Sequence, residues 1–464
     1  VSRLIVLSNR VADRSKKASA GGLAVALKAA LADSGGVWVG WSGQFADVSD
    51  PHVAEETHEG VTYSTFDLSR TDYEDYYNGF ANRSLWPLFH YRVDLTTYDR
   101  RYYAGYQRVN SYFARAVAPL LTDDDIVWVH DFHLMLVGEE LRRMGKQQAM
   151  GYFLHIPWPP SEILLTLPNH QALVRGLFAY DVIGFQTQSD LRSFTDYVLF
   201  EAGGEVHDDG SMSAFGRRIL ARVYPIGIDA KEFEDLTRSR EARRIHHRMH
   251  TALGERWQII GVDRLDYSKG LLERFGAVEK LFDAYPENKG RVSLLQIAPL
   301  SRSDVPEYIE MRHELEAAAG RINGRLAEYD WNPIRYTNRL YTRTALAGLY
   351  RASRVGLVTP FRDGMNLVAK EYIVAQPSED PGVLVLSRFA GAAEDMDAAL
   401  IVNPYDSADV VDALQKALHM SFEERRNRHQ SLLGRLFRYD VHDWRNRFVE
   451  TLEAVRTQRR DVPA

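Results

Sequence analysis

The stretch Val355–Gln376, VGLVTPFRDGMNLVAKEYIVAQ, decides the fold. Its opening is a short apolar, β-rich run. Its close, LVAKEYIVAQ, favours a helix in which Glu371 stands one turn beyond Leu367 on the same face. Between them lies a polar elbow, Arg362-Asp363-Gly364-Met365-Asn366. A strand that feeds a helix through a glycine-containing turn presents backbone N–H groups and the positive end of the helix dipole to whatever lies beyond, which suits an anion. Glu371, one turn in, is better placed for a ribose diol than for a phosphate. With Asp363 in the elbow, two acids flank one anion site, and that combination points to a sugar nucleotide. The same pattern also reads as an ordinary strand–loop–helix unit with a solvated aspartate and a glutamate near the helix start.

Outward from the elbow the chain repeats this unit. In the first half, strands are expected at LIVLSNR (Leu4–Arg10), VWVGWSG, IVWVH (126–130), MGYFLHIP (150–157) and DVIGFQT (181–187). Helices are expected at Leu23–Leu31, 107–121, 134–145, 161–176 and 190–201, while 46–110 reads as irregular and aromatic-rich. Val223–Ile228 reads as a crossing between domains, followed by a charged helical stretch (231–254). The alternation then restarts at WQIIGVDRL (257–265), SLLQIAP (293–299), a charged helix (304–329), IRYTNRL, VGLVTP, GVLVLS (382–387) and LIVNP (400–404). The Arg-rich end, 422–464, reads as helices with a solvated face. Strand–helix alternation of this kind builds parallel sheets covered on both faces. The expected fold is therefore α/β, with two Rossmann-like domains facing across a cleft. The boundaries expected are 1–225, 226–440 and a C-terminal helix, 441–464, that packs back on the first domain. The halves share architecture but no sequence repeat.

Composition narrows the chemistry. A chain of 464 residues exceeds one ordinary core, and 45% hydrophobic with 26% charged residues describes a globular protein. The absence of cysteine excludes disulfides, thiolate catalysis and thiolate-ligated metal. A net charge of −6 argues against nucleic acid or a membrane surface as the main partner. No apolar run approaches the roughly 20 residues of a spanning helix, and the opening shows no signal-peptide layout, so a cytoplasmic protein is expected. GxGxxG, P-loop, GxSxG and HExxH patterns are all absent, which weakens dehydrogenase, kinase, esterase and metalloprotease readings.

In parallel α/β sheets, ligands gather beyond the carboxyl ends of the strands. The residues there are Arg10, Gly21, Gly22, Asp131 and His155 in the first half, and Arg264, Lys269, Arg302 and Asp363–Glu371 in the second. Arg264 and Lys269, in GVDRLDYSKG, supply a planar fork and a point charge where a diphosphate would sit. They also read as a surface ion pair with Asp263 or Asp266. Arg10 and Arg302 could clamp a phosphate if the halves close, or serve structure alone. His155, in YFLHIPWPP, fits either a ligand contact or a buried core histidine. HDFH (130–133) lacks a third ligand at zinc-like spacing, and no metal is expected. Asp123–Asp125 and Asp395–Asp397 are weak cation candidates, the first resembling a turn cap.

The motifs LIVLSNR, AGG, YYNGFANRSLWPLFHY, VHDFHL, FLHIPWPP, GVDRLDYSKG, IAPLSR, DGMNLVAKEY, SRFAGAAE and NPYD span nearly the whole chain in order. Together they resemble the trehalose-6-phosphate synthase family of retaining glycosyltransferases, with the glycosyltransferase B-type fold. The resemblance implies transfer of glucose from a nucleotide-glucose, usually the uridine form, to glucose-6-phosphate, giving α,α-trehalose-6-phosphate. It implies that Gly21 and Gly22 lie by the donor diphosphate, held by Arg264 and Lys269. Leu367, Val368, Ala369, Lys370 and Glu371 form the helix start, with Glu371 on the ribose. Asp363 and His155 touch the donor glucose, and Tyr341 falls where the family often has Phe beside the base. Arg10, Tyr77 and Arg302 take the acceptor phosphate, Asp131 an acceptor hydroxyl, and Trp86 walls the acceptor site. The nucleotide-sugar is a co-substrate, no cofactor is implied, and a homo-oligomer (dimer or tetramer) is compatible with the family. The resemblance leaves open a catalytically silent sugar-phosphate sensor, or a related transferase with another nucleotide or acceptor sugar.

Overall fold

The computed structural model describes residues 3–11, 27, 31, 36–301 and 306–461. It divides into two compact units. The first takes the described residues up to Ile226 and those from His442 on; the second runs from Gly227 to Val441.

The first unit is built on a 10-stranded sheet. Its strands are β1 (Leu4–Arg10), β2 (Val37–Ala46), β3 (Ala54–His58), β4 (Val61–Ser69), β5 (Ile126–His130), β6 (Ala149–Phe153), β7 (Val182–Phe185), β8 (Glu205–Val206), β9 (Ser211–Ala214) and β10 (Arg217–Val223). The order is β3-β4-β2-β1-β5-β6-β7-β10-β9-β8. From β4 to β10 every pairing is parallel; β3, β9 and β8 add antiparallel edges. The central strands read as unbroken apolar runs because both faces are covered, and β5, β6 and β7 are buried at every position. One cover is the helix Val441–Asp461. Its fully buried Trp444 and Phe448 pack on Trp128 of β5, at 4.9 and 4.6 Å between ring centres, the first tilted and the second stacked. Glycines make room for it: a Cβ at Gly151 would stand 2.5 Å from the Phe448 ring.

The second unit holds a 6-stranded, all-parallel sheet: β11 (Trp257–Val262), β12 (Val292–Ile297), β13 (Ile334–Thr337), β14 (Val355–Val358), β15 (Val383–Ser387) and β16 (Leu400–Val402). The order β13-β12-β11-β14-β15-β16 is the Rossmann order 3-2-1-4-5-6, and it reverses direction between β11 and β14. The first sheet reverses in the same way between β1 and β5. These two switch points are where each sheet can hold a ligand.

Several sequence expectations change. The stretch 46–110 is not irregular. It contains the β3–β4 hairpin, a π-helical run Tyr73–Leu85 and the helix Arg100–Val117, which starts seven residues before the expected 107. The helix expected at 161–176 is two, Ser161–Leu164 and His170–Leu177, with Pro168 between them. Strand β6 stops at Phe153, so Leu154–Pro157 is the loop beyond it. Strands β8–β10 fill a segment, 205–223, that lies outside the expected strands. The helix expected at Leu23–Leu31 lies mostly outside the described residues.

Candidate active site

At the switch point of the second unit, two loops are knitted together. After β11, Asp266 presets the first: its Oδ1 accepts from the Ser268 backbone N–H (3.0 Å) and hydroxyl (2.8 Å), and its Oδ2 from Tyr308 (3.1 Å). Gly270 then turns through the left-handed region (φ 61°) so close to β14 that a Cβ would meet the Thr359 carbonyl at 2.8 Å. The loop after β14 returns the contact, since Phe361 N–H donates to Ser268 O (2.8 Å). Below both loops the fully buried Arg274 donates to Asp263 (2.8 Å), Gln296 (2.9 Å) and Thr359 (3.0 Å), tying together β11, β12 and β14. Burial pushes the Asp263 carboxyl up, and the adjacent Arg274 only partly offsets it.

Onto this frame the elbow is fixed. Asp363 N–H donates to Phe389 O (3.1 Å), and Gly391 N–H to Asp363 O (3.0 Å), so the SRFAGAAE segment after β15 braces it. Asn366 has φ 79°, a conformation that Asn tolerates better than most residues. Its Oδ1 caps Ala369 N–H (3.1 Å), while its Nδ2 donates to Asp363 Oδ2 (3.0 Å). The helix Leu367–Ala375 follows. The amides of Leu367 and Val368 precede the first intrahelical bond, and no acceptor for them occurs among the described residues. Lys269, 7% exposed, sets its Nζ 2.5 Å from Asp363 Oδ2. The ion pair anticipated with Asp263 or Asp266 is thus not the one Lys269 makes: those carboxylates hold Arg274 and the Ser268 turn. Arg264, by contrast, is exposed. Within the helix, burial pushes Lys370 down to about 8, countered by Asp395. Burial raises the Glu371 carboxyl to about 7, with Arg343 and Tyr350 pulling the other way. Tyr341, half-buried, stands just before the helix Arg343–Arg351.

The first unit's switch point carries Arg10 at the end of β1 and His130-Asp131 at the end of β5. Arg10 is exposed, its guanidinium 5.5 Å from the Trp41 ring centre. Asp131 sits at φ 74°, held by its N–H on Phe153 O (2.8 Å), and its Oδ1 accepts the His155 N–H (3.3 Å). Tyr77 lies in a stack between Tyr73 (5.1 Å) and His133 (5.6 Å). Trp86, 5% exposed, packs on His90 (4.1 Å) and Phe132 (5.6 Å). His130 Nδ1 and His155 Nε2 are 3.0 Å apart. Burial pushes His155 down to about 3, and His130 well below its usual range.

The structure therefore groups Lys269, Asp363 and Leu367–Glu371 at one switch point. It groups Asp131 and His155 at the other, with Tyr77 stacked on the adjoining His133. Gly21, Gly22 and Arg302 lie outside the described residues. Two residues were missed: Asn366, which orients Asp363, and Arg274, which braces the strand ends. An Asn directly before a helical run is an N-cap signal, so Asn366 was findable. Arg274 had none, since on paper it is one more helix arginine. Among the described residues no group of three or more His, Asp or Glu could hold a metal ion, and no helix is long and apolar enough to cross a membrane.

Two Rossmann-like α/β units, each with polar loops at its switch point, define the architecture of the B-type glycosyltransferases. Within that class, the chain belongs to glycosyltransferase family 20, matched over residues 3–454. It is 48% identical to the trehalose-6-phosphate synthase of Sinorhizobium fredii, across 98% of this chain and 99% of the relative. Among solved structures it resembles a UDP-forming α,α-trehalose-phosphate synthase from Burkholderia xenovorans in complex with glucose-6-phosphate (47% identity, TM-score 0.93, 97% of this chain and 100% of the other). It equally resembles an E. coli structure bound with UDP-2-fluoro glucose (44% identity, TM-score 0.93, 97% and 99%).

Proposed function

We propose that this protein moves glucose from UDP-glucose to glucose-6-phosphate with retention at C1, giving α,α-trehalose-6-phosphate and UDP in the cytoplasm. The carrying observation is full-length likeness to chains solved with a sugar phosphate in one case and a uridine sugar-nucleotide in another. In this reading the second unit holds the donor. Arg264, Lys269 and the amides of Leu367 and Val368 neutralise the diphosphate, Glu371 takes the ribose, and Tyr341 stands by the base. Asp363 and His155 contact the donor glucose. Arg10, Tyr77 and Arg302 take the acceptor phosphate, Asp131 an acceptor hydroxyl, and Trp86 walls the acceptor site. Gly21 and Gly22 belong with the donor diphosphate.

Chemistry follows from how Asp363 is held. A retaining glycosidase uses one free carboxylate as nucleophile, about 5 Å from a second carboxyl. Asp363 Oδ2 already accepts from both Lys269 and Asn366, which lowers its nucleophilicity and fits it to receive sugar hydroxyls. The step is then a front-face displacement. The bond from C1 to the leaving phosphate oxygen breaks as the acceptor oxygen bonds to C1 on the same face. The acceptor's proton passes to that phosphate oxygen. Positive groups at the departing diphosphate stabilise the charge as it develops. No cofactor is invoked, and turnover is expected to persist in EDTA. The test is incubation with glucose-6-phosphate and each of UDP-, GDP- and ADP-glucose, with proton NMR of the product. An α,α-linked phosphodisaccharide from UDP-glucose is expected; binding of glucose-6-phosphate without nucleotide release would identify a sensor instead.

A further inference from the structure

His130 ends β5 and is fully buried, packed against Trp128 (4.5 Å between ring centres), Phe153 (6.3 Å) and Trp444 (6.2 Å). Its Nδ1 meets His155 Nε2 at 3.0 Å, and its Nε2 is sealed, with no partner among the described residues. Nδ1 of His155 has no partner among the described residues and is not sealed in, the residue being partly exposed. Only one proton can lie between the two rings, so two arrangements exist. If His155 Nε2–H donated, His130 would carry its proton on Nε2, a buried N–H with no acceptor. If His130 Nδ1–H donates, the unpaired atom is a bare lone pair. Orphaned buried N–H groups are the rarer defect, because they are under-satisfied less often than acceptors are. Both rings are kept neutral by burial, so neither escapes the choice by taking a second proton.

We propose that His130 is a positioning residue: it donates Nδ1–H to His155 Nε2, fixes His155 as the Nδ1–H tautomer, and so makes the open nitrogen of His155 a hydrogen-bond donor to a sugar hydroxyl. The sugar half of this statement rests on the function proposed above; the tautomer half does not. Selection of the sugar then depends on a residue that never touches it, because a mixed tautomer population would offer that hydroxyl a donor only part of the time.

The test is selective 15N-histidine labelling of the full chain, with His130→Asn and His155→Ala to assign the signals. Bare Nε2 and protonated Nδ1 on both rings are expected at neutral pH; a proton on Nε2 of His155 overturns the proposal. Kinetically, His130→Asn keeps a polar atom at the Nδ1 position and should stay within about twofold of the parent. His130→Leu should lose roughly five- to tenfold in kcat/KM for the nucleotide-glucose, the scale of one hydrogen bond, with the KM for glucose-6-phosphate unchanged. Equal loss in both variants, or loss spread over both substrates, overturns the positioning role. If the tautomers are as stated but His155→Ala leaves donor kinetics intact, the sugar contact is the part that fails.

Discussion

Lys269 Nζ lies 2.5 Å from Asp363 Oδ2, joining the loop after β11 to the elbow after β14 across 94 residues of sequence. This pair binds the charge proposed for the diphosphate to the carboxylate proposed for the sugar. Both partners are largely shielded, with side chains 9% and 16% exposed, so removing one leaves the other partly desolvated and uncompensated. Lys269→Ala should cost about 2 kcal/mol of stability and about 100-fold or more in kcat. Asp363→Asn should cost less in stability, because the amide still accepts from Lys269. The double variant should be clearly less damaged than the sum of the singles. Thermal melts and initial rates on the four proteins check this; strict additivity would mean that the two residues act independently.

Asn366 separates conformation from hydrogen bonding. Its φ of 79° suits glycine, while its side chain caps Ala369 and steadies Asp363. Asn366→Ala loses both the cap and the tolerance of that backbone, and should destabilise by about 2 kcal/mol. Asn366→Gly keeps the backbone and should cost well under half as much. Yet both variants release Asp363, so kcat should fall by a similar factor, roughly tenfold, in each. A kcat that tracks stability instead of falling equally would refute the orienting role.

How much of this was legible follows from how local each signal is. The elbow was readable because strand, turn and helix each declare themselves within a few residues. The partner of Lys269 was not, because sequence offers Asp263 and Asp266 close by, and only the sheet order brings Asp363 nearer than either can usefully act. The Tyr73–Leu85 run escaped because a π-helix closes on i→i+5. Its buried Tyr76, Phe80, Ala81 and Leu85 fall four, one and four residues apart, a spacing that matches neither an ordinary helix nor a strand over so short a run. Strand β3, AEETH, is exposed at every position, so it carries no hydrophobic alternation. Tertiary pairing alone makes it a strand.

Glu371 gives the molecule a pH dependence of unusual sign for a carboxylate. Its folded-state pKa, about 7, lies above its ordinary 4.5. Between those values the native chain keeps a proton that the unfolded chain has lost, so stability declines as pH rises through that window and levels off above it. Arg343 and Tyr350 oppose the shift and Glu232 adds to it. Glu371→Gln is neutral throughout. It should match the parent near pH 4.5 and exceed it increasingly up to about pH 7.5, by at most about 3 kcal/mol. Nucleotide affinity should move the other way, falling about tenfold, since a neutral amide accepts ribose hydroxyls less strongly. Melting curves from pH 4.5 to 8 and calorimetric titration with UDP check the two halves separately.

The C-terminal helix predicts a thermodynamic dependence of the first unit on residues more than 200 positions beyond its other strands. Trp444 and Phe448 are fully buried; Phe448 stacks on Trp128 in the middle strand of the sheet and Trp444 packs against it at a tilt. Phe448 also closes the groove left by Gly151 and Gly184, whose absent Cβ atoms would stand 2.5 and 2.9 Å from its ring. Phe448→Ala opens a cavity that the flanking glycines cannot collapse into, because they have no side chains to move. The cost should sit near the upper end of the usual 3–5 kcal/mol, about 4 to 5. Gly151→Ala attacks the same contact from below, where backbone and ring cannot both yield, and should cost about 2 kcal/mol by overpacking. Combining the two should recover part of that loss, since the added methyl enters the space the ring vacated. Denaturant melts followed by circular dichroism check this, and a double variant no better than Phe448→Ala would show that the helix is not seated on Gly151.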